Sequence, residues 1–282
     1  MLIDTHAHLN FNAYKDDADE VIKRALKNNV WMINVGSQYS SSKRAVEIAE
    51  RYTQGVYATV GFHPIHLETG LVKIKLDKEE VFFHTKKEMF DYEKYRDLAK
   101  SSKVVAIGEI GLDYYYKPKS KIKFEEFKEQ QKKVFLEQIE LAKELNLPII
   151  FHCRFAHDDL IQILNEQQTM NNEQLKGVIH CFTGTWEQAK QYLEMGFYLG
   201  FNGIIFKLNL DEIIKKSPID KILLETDCPY LSPPEFKKQR NEPLSVKYIA
   251  ERVAKIKNLS FNEVVIKTTQ NTKKLFAQAF IK

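Results

Sequence analysis

Long apolar runs are missing from this chain. No stretch approaches the roughly 18 consecutive apolar residues that a membrane-spanning helix requires, and Asp4 interrupts the start where a secretory leader would carry its apolar segment. Cysteine is scarce: three in 282 residues, an odd number in a long chain, exclude a disulfide framework. Neither sign of charge dominates. Lys and Arg number 42 against 38 Asp and Glu, a net charge of +4 that excludes a histone-like polycation. Any grip on nucleic acid must therefore come from a local site. Internal repeats, low-complexity tracts and Pro/Gly/Ser linkers are lacking as well. An apolar content of 44% suffices for a sizeable core. The expectation is a cytoplasmic protein with no membrane partner, a monomer by default, whose residues 1–282 form one domain.

What is present is alternation. Short apolar, β-branched runs alternate with longer stretches of helical period. Strands are expected over 2–8, 31–36, 56–62, 104–109, 148–152, 177–181, 197–201 and 221–227. Helices are expected over 16–29, 41–52, 124–145, 156–167, 185–195 and 211–216, with another after Pro243 and a terminal one over about 261–280. Asp16 and Ser41 suit helix N-caps, and Gly196 suits a helix C-terminus. Eight βα alternations at this length predict an α/β protein of the (β/α)8 TIM-barrel type. A doubly wound open sheet shows the same alternation, and the placement of polar residues on the strands separates the two. About forty residues between Pro64 and Val104 exceed the usual loop length. The segment over about 65–95 therefore reads as an insertion on the C-terminal rim.

The strand ends carry the chemistry. The first strand ends in Asp4-Thr5-His6-Ala7-His8, the third in Gly61-Phe62-His63-Pro64, the fourth in Gly108-Glu109, the fifth in His152, the sixth in His180 and the eighth in Glu225-Thr226-Asp227. A single strand-end histidine is usually structural, but six polar ends on apolar strands are not independent accidents. In a barrel these ends converge on one mouth. Carboxylates packed there repel one another, and burial raises their pKa; divalent metal held by neutral imidazole and carboxylate removes that cost. His6, His8, Glu109, His152, His180 and Asp227 exceed one tetrahedral set, so two metal ions are expected. Two divalent ions against Glu109 and Asp227 leave two positive charges, which a hydroxide and a phosphodiester would neutralise. Cys153, Cys181 and Cys228 each directly follow a proposed site residue. One step along a strand reverses the side chain, so they are expected to face away as packing thiols. His66, His84 and His157 lack the strand-end placement and read as surface or loop residues.

The motifs, taken in order, resemble the TatD family of metal-dependent deoxyribonucleases over nearly the whole chain. They are Asp4-Thr5-His6-Ala7-His8, Gly61-Phe62-His63-Pro64, Gly108-Glu109-Ile110-Gly111-Leu112-Asp113-Tyr114, His152-Cys153-Arg154, His180-Cys181-Phe182-Thr183-Gly184, Glu225-Thr226-Asp227-Cys228-Pro229-Tyr230-Leu231 and Arg240-Asn241-Glu242-Pro243, with Asn271 and Phe276 in the terminal helix. The resemblance implies a metal-binding barrel in which His6, His8, Glu109 and Asp227 hold one ion. Glu109, His152 and His180 would hold the second, with Glu109 bridging. Asp227 would orient or deprotonate the attacking water. The ions would be zinc, manganese or magnesium. The activity implied is a DNase acting as an exonuclease on single-stranded or frayed ends of a DNA or oligonucleotide substrate.

Around that core, His63, Arg154, Arg240 and Asn241 are expected to contact the substrate phosphate, and Glu225 to orient water or support an ion. Lys117, Lys119, Lys121 and Lys123 either track a nucleic-acid backbone or form ordinary solvated surface. The 65–95 stretch does not match the family's usual loop. Two rival readings remain open. Amidohydrolase barrels acting on C–N bonds of small molecules also open with His-x-His, but many bridge their metals with a modified lysine at the fourth strand, where this chain has Glu109. A non-catalytic nucleic-acid-binding barrel would be marked by a missing ligand, and none is missing.

Overall fold

The computed structural model describes residues 1–68, 73–74, 83–84, 87–171, 174–237 and 239–280. Eight parallel strands form one sheet in sequence order. They are β1 (Leu2–Ala7), β2 (Val30–Val35), β3 (Val56–Val60), β4 (Val104–Asp113), β5 (Ile149–Arg154), β6 (Gly177–Ile179), β7 (Tyr198–Phe201) and β8 (Ile222–Leu224). Beyond the end of β8 the chain returns to β1. Ala7 bridges Cys228, the Asp227 amide donates to the His6 carbonyl at 2.8 Å, and the His8 amide donates to the Cys228 carbonyl at 2.9 Å. Asp4 locks this seam by accepting from the Thr226 amide (2.8 Å) and hydroxyl (2.6 Å). Sequential strand order with joined edges is the barrel, and it excludes the doubly wound sheet.

Helices α1 (Ala18–Lys27), α2 (Tyr39–Glu50), α3 (Tyr92–Leu98), α4 (Lys121–Glu144), α5 (His157–Asn171), α6 (Trp186–Glu194), α7 (Asp211–Lys216), α8 (Val246–Lys257) and α9 (Phe261–Leu275) surround the strands. Reciprocal capping boxes start α6 (Thr185 with Gln188) and α9 (Ser260 with Glu263). Gly196, at φ +92°, follows α6 in the left-handed conformation expected of it. Two expected caps shift: α1 is capped at Asp17, not Asp16, and α2 at Gln38, with Ser41 sitting one turn in and accepting from the Gln38 amide at 3.0 Å. The seven-residue α3 straddles the end of the segment read as an insertion and has too short an apolar stripe to stand out in the sequence. Of that segment, residues 69–72, 75–82 and 85–86 fall outside the described residues, and Lys73–Ile74 pairs antiparallel with Phe83–His84. The terminal helix stops at Leu275 and gives way to a 3-10 turn, Ala277–Phe280, short of the expected 280. Among the described residues no helix is long and apolar enough to cross a membrane.

The inner face of the barrel is filled from below. Ile33, Val35, Tyr57, Ile150, Val178, Tyr198 and Leu223 pack there with Leu275 and Phe276 from the C-terminal segment. Phe280 stacks on Trp31 with ring centroids 5.9 Å apart, and the Tyr57 hydroxyl donates to the Ala279 carbonyl at 2.8 Å. The N-terminal end is thereby closed, leaving the C-terminal mouth as the open end.

His66 and His157, expected on the surface or in loops, are both buried. Burial pushes the His157 imidazole down to about 4, whereas an unfolded histidine titrates near 6.5. As pH falls from about 6.5 toward 4, the unfolded chain takes up a proton that the folded chain refuses, so stability is lost across that window. Between pH 7 and 4.5, urea denaturation should show the wild type losing about 2–3 kcal/mol more than His157→Gln. Parallel pH profiles for the two proteins would show that the ring is not held neutral.

Candidate metal centre

The inner face that is apolar below turns polar at the mouth. Two residues above Ile150 on β5 is His152; two above Val178, just past β6, is His180; two and four above Leu223 are Glu225 and Asp227. His6 enters from β1 and Glu109 from β4. The fourth strand does not end at Glu109 as expected: it bulges between Ile107 and Ile110 and continues to Asp113. Gly111, at φ +146°, permits this, because a Cβ there would lie 2.1 Å from the His152 carbonyl oxygen. The expected eighth strand is also shorter, so Asp227 reaches the mouth on a turn at φ +58°.

Seven groups meet here: the six expected ligands and His63. The Nε2 atoms of His6 and His8 lie 3.1 Å apart. Glu109 is 2.5 Å from His152 Nδ1, 3.5 Å from His6 Nε2, 3.6 Å from His63 Nε2 and 3.8 Å from His180 Nε2. Asp227 is 3.4 Å from His8 Nε2 and 3.9 Å from both His6 and His180 Nε2. The outer nitrogens fix the tautomers, which are assigned from these partners. His8 Nδ1 donates to the Val35 carbonyl at 2.9 Å, which turns its Nε2 lone pair inward, and His180 Nδ1 lies 2.8 Å from Glu225 Oε1 with its Nε2 toward the centre.

Electrostatics fit a cation. Burial raises the Glu109 carboxyl, but His63, His152 and His180 override it and hold it well below the usual carboxylate range. Asp227 is raised by burial and lowered further by His8, His180 and His6. Burial lowers His152 and His180, yet facing carboxylates drive them up to about 9 and about 10. His6 goes the other way, lowered by burial and by His180, whose ring stacks on it at 3.5 Å. Its buried Nδ1 has no hydrogen-bond partner. Protons on His152 and His180 here balance charge that a divalent ion would balance instead, and convergent imidazole and carboxylate donors within 4.8 Å suit such an ion.

The flanking residues divide. His63 is buried beside Glu109, and its Nδ1 accepts from the Ile65 amide at 3.1 Å. The Arg154 guanidinium lies 3.8 Å over the Tyr115 ring, and among the described residues no carboxylate pairs with it. Arg240 is instead committed to an ion pair with Asp17, stacked 4.3 Å over Tyr14. Asn241 is buried, with its amide donating to the Thr226 and Tyr230 carbonyls (3.2 and 2.7 Å). Both therefore brace the loop after β8. Glu225 accepts from the Cys181 amide at 2.8 Å as well as facing His180. Cys153 and Cys228 are buried. Cys181 departs from the expectation that it faces away: β6 ends at Ile179, alternation lapses, and at φ +46° its thiol comes within 4.8 Å of His180 and Asp227. Lys117, Lys119, Lys121 and Lys123 are exposed.

Asp113 is the residue that strand-end reading passed over. Its Oδ2 holds His152 Nε2 at 3.0 Å, while its Oδ1 accepts from the Tyr115 and Tyr116 amides at 2.9 and 3.1 Å. The signal was its place four residues after Glu109 in the same motif, but the bulge hides the strand's phase. The cluster opens into a cavity of about 2030 Å³ whose lining includes His8, His63, Glu109, Arg154 and Asp227.

Imidazoles and carboxylates converging at the mouth of a (β/α)8 barrel define a metal-dependent hydrolase. The chain belongs to the TatD-related DNase family, whose model matches residues 3–277. It is 41% identical over 280 residues to an uncharacterized metal-dependent hydrolase, YabD, of Bacillus subtilis, covering 98% of this chain and 99% of that one. It is 33% identical over 281 residues to the human deoxyribonuclease TATDN3, covering 98% and 94% respectively. The crystal structure of the TatD homolog YjjV from Escherichia coli superposes with a TM-score of 0.81 at 28% identity, covering 98% of both chains.

Proposed function

We propose that this protein is a phosphodiesterase that removes nucleotides from single-stranded or frayed DNA ends, using two divalent ions. The observation that carries the reading is the convergence of the His6 and His8 Nε2 atoms, 3.1 Å apart, with Glu109 and Asp227 at the foot of a concave cavity. A concave mouth admits an extruded end more readily than an intact duplex. In this assignment His6, His8, Glu109 and Asp227 hold one ion and Glu109, His152 and His180 the other. The imidazole-rich set suits zinc or manganese, with magnesium also compatible. Bound there, the ions would supply Lewis acidity toward phosphoryl oxygens and lower the pKa of water.

The chain's own groups supply the rest. Asp227, the more open carboxylate (17% side-chain exposure against 7% for Glu109), takes the proton of the attacking water. His63 accepts at Nδ1, so its proton sits on Nε2, available to the leaving oxygen. Arg154 grips the phosphate with both arms of its guanidinium. Asp113 and Glu225 hold His152 and His180 from behind.

The test is a substrate panel with added manganese, magnesium or zinc: end-labelled single strands, blunt duplexes and cyclic amides, each with and without EDTA. Stepwise shortening of single strands that EDTA stops is expected. Turnover of the amides with no phosphodiester cleavage would overturn the proposal in favour of the amidohydrolase alternative.

A further inference from the structure

We propose that Phe155, backed by Tyr115, is a stacking platform for a nucleobase at the entrance to the mouth, beside the phosphate held by Arg154. This rests on the nucleic-acid reading above. Phe155 directly follows β5 and sits at φ +57°, a left-handed turn that bulky residues seldom adopt. It lines the cavity and is nevertheless 75% exposed, among the most exposed large apolar side chains described. Its ring stacks on Tyr115, itself 50% exposed, with centroids 5.6 Å apart and planes 24° from parallel. The Arg154 guanidinium lies 3.8 Å over the same Tyr115 ring. A partly assembled aromatic and guanidinium stack is therefore present, and the Phe155 ring has surface left to extend it.

Charge says what would extend it. Lys117, Lys119, Lys121 and Lys123 lie on the adjoining loop and the start of α4, all exposed, and among the described residues none of them forms an ion pair. An exposed aromatic face beside the Arg154 guanidinium, with these lysines on the chain that follows Tyr115 and Tyr116, matches a polyanion with flat apolar groups, which is a single-stranded nucleic acid. A purely apolar protein partner would leave those cations unmatched. The platform is also tied to the centre: the Asp113 carboxylate that holds His152 accepts from the Tyr115 and Tyr116 amides. A base resting on Phe155 is thus registered against the metal ligands through one shared side chain.

Steady-state cleavage with manganese, on a short thymidine oligonucleotide and on its abasic counterpart, tests this. Phe155→Ala should raise KM for the base-bearing strand about tenfold and leave kcat within about twofold, with KM for the abasic strand unchanged. Phe155→Trp should restore KM, and its new indole fluorescence should be quenched by the base-bearing strand but not by the abasic one. An unchanged KM in Phe155→Ala, or an equal rise for both strands, overturns the platform. Quenching without any cleavage by the wild type would sustain the platform and sink the phosphodiesterase reading. Normal cleavage with neither quenching nor a KM change would do the reverse. Because Phe155 is exposed, Phe155→Ala should keep the wild-type Tm, which checks that the fold is unaffected.

Discussion

Glu109→Gln should lower the turnover of a single-stranded oligonucleotide by about three orders of magnitude or more while leaving the circular dichroism spectrum unchanged. The size of the effect follows from geometry. Glu109 lies within 3.8 Å of four imidazoles, at 2.5 Å from His152, 3.5 Å from His6, 3.6 Å from His63 and 3.8 Å from His180. Gln keeps the shape and removes the charge that lets these rings share one site. Under the proposed two-ion assignment Gln is also a poor bridging ligand, so bound metal should fall from two ions per chain toward one when measured by elemental analysis. Loss of that much activity needs about 4 kcal/mol of transition-state stabilisation, a plausible share for one bridging carboxylate. Turnover within tenfold of wild type, with two ions still bound, would sink the assignment of Glu109 to the centre.

Asp227→Asn should cost about 10²–10⁴ in kcat with a much smaller change in KM if Asp227 takes the proton of water as proposed, because a general base acts on the chemical step and not on the resting complex. Asp227 carries the larger side-chain exposure of the two carboxylates and faces His8 at 3.4 Å. Asn preserves the hydrogen-bonding outline and removes the proton acceptor. A variant that loses affinity for substrate while keeping kcat would instead make Asp227 a binding residue. Because Asp227 is also assigned to one ion, elemental analysis alongside the kinetics separates its two roles: loss of kcat with metal retained marks proton transfer, and loss of metal marks ion holding. Chelation of the wild type should reproduce the loss of metal reversibly, with activity returning on readdition of manganese.

Much of the site could be read before any fold was known. His6, His8, Glu109, His152, His180 and Asp227 each follow an apolar β-branched run, and in a parallel barrel every such run ends at the same mouth. Two local rules failed, each for a stated cause. Alternation along a strand placed Cys181 outward, but β6 stops at Ile179 and the following turn brings the thiol inward. Counting to the end of the fourth strand stopped at Glu109, but the bulge at Ile107–Ile110 carries the strand on to Asp113. Burial was missed for His66, which sits in no apolar periodic run, and for His157, although His157 shares the helical spacing of the buried Leu160, Ile161 and Leu164. Arg240 and Asn241 were placed by proximity in sequence to the rim, whereas their partners, Asp17 and the Thr226 carbonyl, come from segments that only folding brings alongside.

By itself, then, the sequence determined the alternating architecture and the residue types at the mouth, because strand period, helix period and apolar content are local properties. The tertiary structure alone decided which carboxyl touches which imidazole, that Asp113 stands behind His152, and that Phe155 and Tyr115 form an exposed stack beside Arg154. It also decided that the C-terminal Phe276 closes the floor of the barrel. Those contacts join residues far apart along the chain, and their distances depend on strand curvature, a single bulge and the closure of β8 on β1, none of which any local pattern of residues encodes.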